Sequence, residues 1–232
     1  MADLVVAIDG TAGSGKSTLA RRLARRLGYR YVDSGAMYRA AGWAALERMV
    51  DLDDGKALCG LVSSLKIELD DDTNGECRVR VDGRDVTDRI RSPAVAAAAS
   101  AVALVPGVRK ALVALQRGMG ERGGVVMEGR DIGTVVFPDA DVKFYLDADA
   151  SVRAERRRSE LLGGGIGQPL EEVLKELRRR DGRDSTRDDS PLLPAPDAVV
   201  IDTTDRTLDD LERQMLEAIE KRAAHDSGAA GK

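Results

Sequence analysis

Residues 10–17 read Gly10-Thr11-Ala12-Gly13-Ser14-Gly15-Lys16-Ser17, with Thr18 following. The spacing is G-x-x-x-x-G-K-[ST], and what flanks it decides how it is read. Before it lies "LVVAI" (4–8), a short, β-branched run stopped by Asp9-Gly10. Such a run predicts a strand buried on both faces, as in a parallel sheet. After it, "KSTLARRLARRL" (16–27) places Leu19, Leu23 and Leu27 at i, i+4 and i+8 and stops at Gly28. That is an amphipathic helix with a glycine C-terminus. A strand, a glycine-rich turn and a helix in this order form an anion cradle. Glycines let successive backbone N–H groups turn toward one anion, and the helix adds its positive dipole end. A lysine here reaches the β- and γ-phosphates, and the Ser17 hydroxyl suits a Mg²⁺ ion. The expected ligand is a nucleoside triphosphate.

Outward from the loop, strand and helix alternate. "YRYV" (29–32) predicts a second strand, and Asp33-Ser34 starts a helix to about Glu47. Strands follow at 124–128, 142–148 and 198–202, a helix begins at about Ser151, and a last one covers about 207–223. This alternation predicts an α/β, doubly wound and mainly parallel sheet. Residues 65–83 break it, alternating apolar and polar around Asn74-Gly75, which signals a β-hairpin. Residues 92–120 predict two helices, with Pro93 behind the capping Ser92 and Pro106 opening the second. A hairpin does not belong inside a parallel sheet, so 34–103 is expected to be an inserted lobe. The division is then 1–33, 104–150 and 189–224 as core, 151–188 as a lid hinged at "GGGIGQP" (163–169), and 225–232 as a flexible tail.

Composition narrows the chemistry. The chain has 232 residues, 43% of them apolar and 33% charged, and a net charge of −4. That balance suits a globular protein rather than a polyanion binder, so nucleic acid is not an expected partner. Its cations cluster at 21–30, 153–158 and 178–187. The single histidine, His225, falls in the expected flexible tail, which excludes a Ser-His-Asp triad and a multi-histidine metal site. Two cysteines without metal spacing are expected to be reduced thiols. No apolar run reaches the length of a membrane span and no leader pattern opens the chain, so a cytoplasmic, monomeric protein is expected. The only asparagine is Asn74, which leaves no NKxD loop for guanine. Strand ends at Glu128 and Asp147 lack the acidic pair of larger ATPases.

Beyond the loop, "YVDSGAMYRA" (31–40), "VAAAASAVALVPGVRKAL" (95–112), "EGRDIGTVVFPDADVKFYLDA" (128–148) and "RRDGRDSTRDDSPLLPAPDAVVIDTT" (179–204) follow in order. With "IDGTAGSGKST" (8–18), these blocks resemble the bacterial cytidylate kinases, P-loop nucleoside monophosphate kinases. Thr11, where the family usually has Pro, and Ser17, where many members have Gly, depart from the pattern without spoiling phosphate binding. The resemblance implies a P-loop NTPase-type core with an inserted NMP-binding lobe and a helical lid. It implies transfer of the γ-phosphoryl group of ATP to CMP or dCMP, with Mg²⁺, in pyrimidine nucleotide metabolism.

By the same resemblance, Ser34, Arg39, Ser100, Arg109, Arg130, Asp131, Arg180, Asp184 and Arg187 bind CMP. Arg39 is expected on its phosphate, Ser100, Arg109 and Asp131 on cytosine, and Asp184 on the ribose. Gly10 through Thr18 bind ATP. Lys16, Arg130 and Arg183 are the expected catalytic cations, with Arg183 toward the transferring phosphate. Arg157 is taken for the ATP side, although spacing leaves Arg153, Arg156 and Arg157 open. Residue chemistry agrees in part. Arg180, Arg183, Asp184 and Arg187 fall at i, i+3, i+4 and i+7 on one helical face, with Gly182 marking a kink or a frayed end. Asp33-Ser34 could serve as simple helix capping. An acceptor phosphate is largely dianionic at neutral pH and needs no general base, so the work is alignment and charge neutralisation. Competing readings are a kinase for UMP, AMP or shikimate, and an ATP-binding regulatory module whose arginines grip nucleic acid.

Overall fold

The computed structural model describes residues 3–71 and 77–229. Its elements are β1 (Val5–Gly10), α1 (Lys16–Leu27), β2 (Arg30–Asp33), α2 (Ser34–Glu47), α3 (Gly55–Ser64), β3 (Ile67–Asp71), β4 (Cys77–Val81) and β5 (Arg84–Asp85). They continue with α4 (Pro93–Val102), α5 (Pro106–Gly120), β6 (Val125–Glu128), β7 (Val142–Asp147), α6 (Ala150–Gly163), α7 (Leu170–Thr186), β8 (Val199–Asp202) and α8 (Leu208–Ala229). Five strands form a parallel sheet in the order β2-β6-β1-β7-β8.

Period-2 alternation sends side chains to both faces, and both are covered. Ala7, Val32, Val125 and Met127 point to the side of α2, α3 and α5, into a core shared with Met37, Leu58 and Leu112. Val6, Ile8, Val126 and Phe144 point the other way, against Leu19 and Leu23 of α1 and Leu211, Met215 and Ile219 of α8. This two-sided burial explains the unbroken apolar runs in the sequence. The chain leaves β1 toward β2 on one side and later reaches β7 and β8 on the other. The crevice at the strands' carboxyl ends, beside β1, is where such sheets bind ligands.

The inserted segment carries its own antiparallel sheet, β3-β4-β5. Ile67 pairs with Val81 and Leu69 with Val79, and all four are buried. The predicted Asn74-Gly75 turn lies outside the described residues. Ile67, Leu69, Val79, Val81 and Ile90 belong to the same core as Ala7 and Met127, so the lobe is welded to one face of the main sheet.

Three boundaries differ from the sequence reading. β2 begins one residue late and includes Asp33, because its partner Glu128 ends β6 in the same register. The last helix runs on to Ala229, six residues past the expected end, since "AAHDSGA" holds no proline to stop it. In α7 the helix passes through Gly182 to Thr186, with Arg187 just beyond it in extended conformation. The Ser185 and Thr186 hydroxyls donate back to the carbonyls of Asp181 and Gly182 at 2.8 and 2.7 Å, a pattern that weakens a helix and goes with its end here. Among the described residues no single helix is long and apolar enough to cross a membrane.

Candidate active site

The phosphate loop takes its shape from glycine backbone and from outward-facing carbonyls. Gly10 has φ 145°, and a Cβ there would lie 1.9 Å from the Leu146 carbonyl oxygen. Only glycine lets β1 pass so close to β7 before turning. The loop carbonyls are then occupied from outside. Arg130 donates to Gly10 O at 2.7 Å, Ser14 Oγ to Thr11 O at 2.9 Å, Arg153 to Ala12 O at 3.0 Å and Thr203 Oγ1 to Ser14 O at 3.0 Å. Thr11 Oγ1 donates to Asp147 at 2.6 Å. Thr11 N and Ala12 N are also taken, by Leu146 O at 3.3 Å and Asp181 Oδ1 at 3.5 Å, so an anion would be held by the N–H groups of the later loop residues.

Lys16 is buried, and its ammonium donates to Thr11 O at 2.5 Å. Burial, and then the charge of Arg130, push its pKa down to about 7, with Glu128 pulling the other way. A desolvated ammonium beside other cations is a group that gains strongly from an arriving phosphate.

The neighbouring carboxylates have distinct tasks. Asp9, at the end of β1, accepts the backbone N–H groups of Ile132 and Gly133, each at 2.7 Å. These bonds hold a π-helical turn over Ile132–Val136, in which Phe137 N donates to Ile132 O at 2.7 Å. No sequence period announces such a turn, and it fixes where Arg130 and Asp131 stand. Burial pushes the Asp9 carboxyl up to about 6. Glu128 accepts from Tyr31 Oη at 2.7 Å and bonds the Ser17 hydroxyl; burial, then Asp33, push its pKa up. Ser17 and Glu128 thus set hard oxygen donors at the mouth of the phosphate loop. Among the described residues no three His, Cys, Asp or Glu converge on a metal. The set therefore fits Mg²⁺ shared with a nucleotide's phosphates, rather than a self-contained metal cage.

The expected acceptor residues gather around α2, the π-turn and α7. Asp33, not Ser34, caps α2 by accepting from Ala36 N at 3.0 Å. Ser34 is the first helical residue, buried and close enough to Gly129 that a Cβ there would meet its Oγ at 2.5 Å. Asp33 also holds Arg39 at 2.7 Å. Asp131 is buried against Arg109, which donates to its Oδ2, and Arg187 stands 3.8 Å from Oδ1. Asp184 accepts from Arg130 Nε at 2.9 Å and lies 3.9 Å from Arg180.

The lid arginines have distinct surroundings. Arg183, expected toward the transferring phosphate, is exposed and donates to Ser100 Oγ at 3.3 Å, on the acceptor lobe. Arg180, one turn earlier, has 47% of its side chain accessible and stands near Arg130, Arg39 and Arg157. Desolvation, then Arg130, with smaller effects from Arg39 and Arg157, lower its pKa to about 10. The three lid candidates also separate. Arg153 is buried behind the loop, Arg156 is spent on the Thr203 carbonyl at 2.6 Å, and Arg157 is half-exposed, pairs with Glu160 at 3.0 Å and is felt by Arg180.

Tyr38 is a site residue the sequence reading passed over. Its ring lies 5.7 Å from the Arg109 guanidinium carbon, and its hydroxyl is buried with no hydrogen-bond partner among the described residues. Arg109 Nε and one Arg187 terminal nitrogen are likewise buried without a hydrogen bond among the described residues, with the Asp189 and Asp131 carboxylates at 3.9 and 3.8 Å. Buried polar atoms are rarely left without a hydrogen bond, and these three near Asp131 are open to a polar ligand. The i, i+4 spacing of Ser34 and Tyr38 on α2 was the available signal.

Comparison with known proteins agrees with this geometry. The sequence profile of the family described as Cytidylate kinase matches residues 6–221. The chain is 48% identical over 211 residues to a cytidylate kinase of Pelotomaculum thermopropionicum, covering 91% of this chain and 93% of that one. It is 49% identical over 221 residues to a cytidylate kinase of Rhodococcus opacus, covering 95% and 96%. Among solved structures, an uncharacterized protein from Eubacterium ventriosum aligns over 94% of this chain and 98% of its own, with a TM-score of 0.53 at 11% identity, a likeness of fold alone. With a phosphate loop, a ring of facing cations and near-half identity along nearly its whole length, the chain belongs to the cytidylate kinase family of P-loop nucleoside monophosphate kinases.

Proposed function

We propose that this kinase transfers the γ-phosphoryl group of ATP to CMP or dCMP, giving ADP and the nucleoside diphosphate, in pyrimidine nucleotide metabolism. The observation that carries the reading is the convergence of cations between donor loop and acceptor residues. Arg130 and Arg180 both depress the pKa of Lys16, while Arg130, Arg39 and Arg157 depress that of Arg180. Arg180 thus stands near cations from four other segments, and an array of phosphates turns that repulsion into attraction.

Roles follow from position. Lys16 and the loop N–H groups hold the β- and γ-phosphates. Ser17, backed by Glu128, would hold Mg²⁺ with the nucleotide; when bound, the ion neutralises phosphate charge and helps to align the donor. Arg130, held by Asp184 and Gly10 O, and Arg180 face the transferring group, and Arg39 faces the acceptor phosphate. Arg109, Asp131, Arg187 and Ser100 surround cytosine, with Tyr38 beneath Arg109. Asp184 is left for the ribose and Arg157 for the ATP side. Residues 34–103 serve as the acceptor lobe and 151–188 as the lid, which excludes water from the transfer.

A panel of CMP, dCMP, UMP, AMP, GMP and shikimate, assayed for Mg²⁺-dependent ADP release, tests the reading. CMP and dCMP should dominate; exclusive activity with another acceptor would overturn the cytosine assignment and keep the fold. Asp131→Asn sharpens that test. The carboxylate offers only acceptors, which suits the cytosine amino group, whereas an amide also offers donors, which suit the uracil carbonyl. The CMP-over-UMP ratio of kcat/KM should fall by about 10–100-fold in this variant, with the KM for ATP unchanged. An unchanged ratio would remove Asp131 from base recognition.

A further inference from the structure

Asp181 lies in the charge run of α7, yet it faces neither solvent nor acceptor. Its Oδ2 accepts from Arg153 at 2.5 Å, and its Oδ1 lies 3.5 Å from the Ala12 backbone nitrogen of the phosphate loop. Arg153, buried on α6, completes the link by donating to Ala12 O at 3.0 Å and to Ala148 O at 2.9 Å. Gly13 is shaped by the same contact, since a Cβ there would come within 2.8 Å of the Arg153 carbonyl oxygen. Around these polar bonds, Ala12 packs with Ala154, Leu161, Val173 and Leu177 in a small core of its own.

Asp181 is thus the point at which both lid helices meet the donor loop. One residue before it stands Arg180, and three after it stands Asp184, which holds Arg130 at 2.9 Å. Within one helix the residue three positions on lies roughly 5–6 Å away, so a shift of α7 at Asp184 carries Asp181 with it. Arg130 closes the circuit by donating to Gly10 O at 2.7 Å, at the start of the same loop.

We propose that Asp181 is a positioning residue that couples the two nucleotide sites, transmitting occupancy of the acceptor site through α7 and Arg153 to the donor loop at Ala12. The proposal rests on the acceptor reading given above. A carboxylate suits the task because it accepts from a loop N–H and from a guanidinium at once, so moving α7 necessarily moves the backbone that binds ATP. Coupling of this kind is reciprocal: each nucleotide tightens the other by the same factor.

Equilibrium binding of a non-hydrolysable ATP analogue, with and without saturating CMP, tests this in the full chain. In the wild type, CMP should tighten the analogue at least about fivefold, the lower end of ordinary coupling. In Asp181→Asn the ratio should fall below about twofold, while each nucleotide alone binds within about threefold of wild type. Arg153→Lys, which keeps the charge but loses the fork, should move the ratio the same way and stands in if Asp181→Asn does not fold. An undiminished ratio in the variants, or a wild-type ratio of one, overturns the proposal. A merely structural role would weaken single-nucleotide binding and leave the ratio alone, which also overturns it. Failure of the acceptor assignment looks different: the wild type would then turn over no CMP at all.

Discussion

Lys16→Met should abolish turnover, by about 10³-fold or more, and at the same time make the nucleotide-free protein more stable. Loss of activity follows from removing the one ammonium that the phosphate loop places at the β- and γ-phosphates. The gain in stability follows from its environment. Burial and Arg130 bring the Lys16 pKa from 10.5 down to about 7, so folding costs this residue part of its charge. Between about pH 7 and the ordinary lysine value the unfolded chain holds more of this proton than the folded one. The stability contribution therefore rises with pH across that window, and the penalty is largest below it. At pH 7 the melting temperature of Lys16→Met should exceed that of the wild type by about 5 °C, narrowing at pH 9.5. A gap that widens with pH would contradict a depressed pKa.

The same group predicts a proton linked to binding. ATP restores the charged form of Lys16, so binding at pH 8 should take up a proton in the wild type and not in Lys16→Met. Calorimetry in buffers of different ionisation heat reads this directly.

Arg180→Ala should lower kcat by about 10²–10³-fold, whereas Arg183→Ala should lower it by about tenfold or less. The sequence pointed to Arg183 for the transferring phosphate; the surroundings of the two side chains favour Arg180 for that role. Arg183 rests on Ser100 in the acceptor lobe, while Arg180 is crowded by Arg130, Arg39 and Arg157. A guanidinium held among like charges pays for its position only when phosphate arrives, so its loss should appear in kcat more than in the KM for either nucleotide. Equal kcat effects in the two variants, or a loss in Arg180→Ala confined to KM for CMP, would reverse this ranking. Both proteins should fold, because neither side chain belongs to the buried core.

Much of this molecule is legible in one dimension. The parallel sheet follows from short apolar runs buried on two faces, and the phosphate loop from glycines at fixed offsets between a strand and a helix. Both are local: a period or a spacing holds all the information, and no distant residue is needed to read it. The blocks shared with cytidylate kinases pointed to the family in the same way, and the family model matches residues 6–221.

What the sequence could not resolve are assignments that depend on which side chain wins a shared partner. Asp33 rather than Ser34 caps α2 because β2 is shifted one residue onward so that Asp33 pairs with Glu128. Arg153, Arg156 and Arg157 look alike in sequence, but one is buried behind Ala12, one is held by Thr203, and one is half-exposed and pairs with Glu160. The π-turn that aims Arg130 and Asp131 exists because Asp9, more than 120 residues earlier, accepts two of its N–H groups. By itself the sequence determined the sheet, the donor loop and the chemistry of the ligands. Only the tertiary structure decided which of many similar charges meet, because Coulomb interactions and burial act across space and leave no period along the chain.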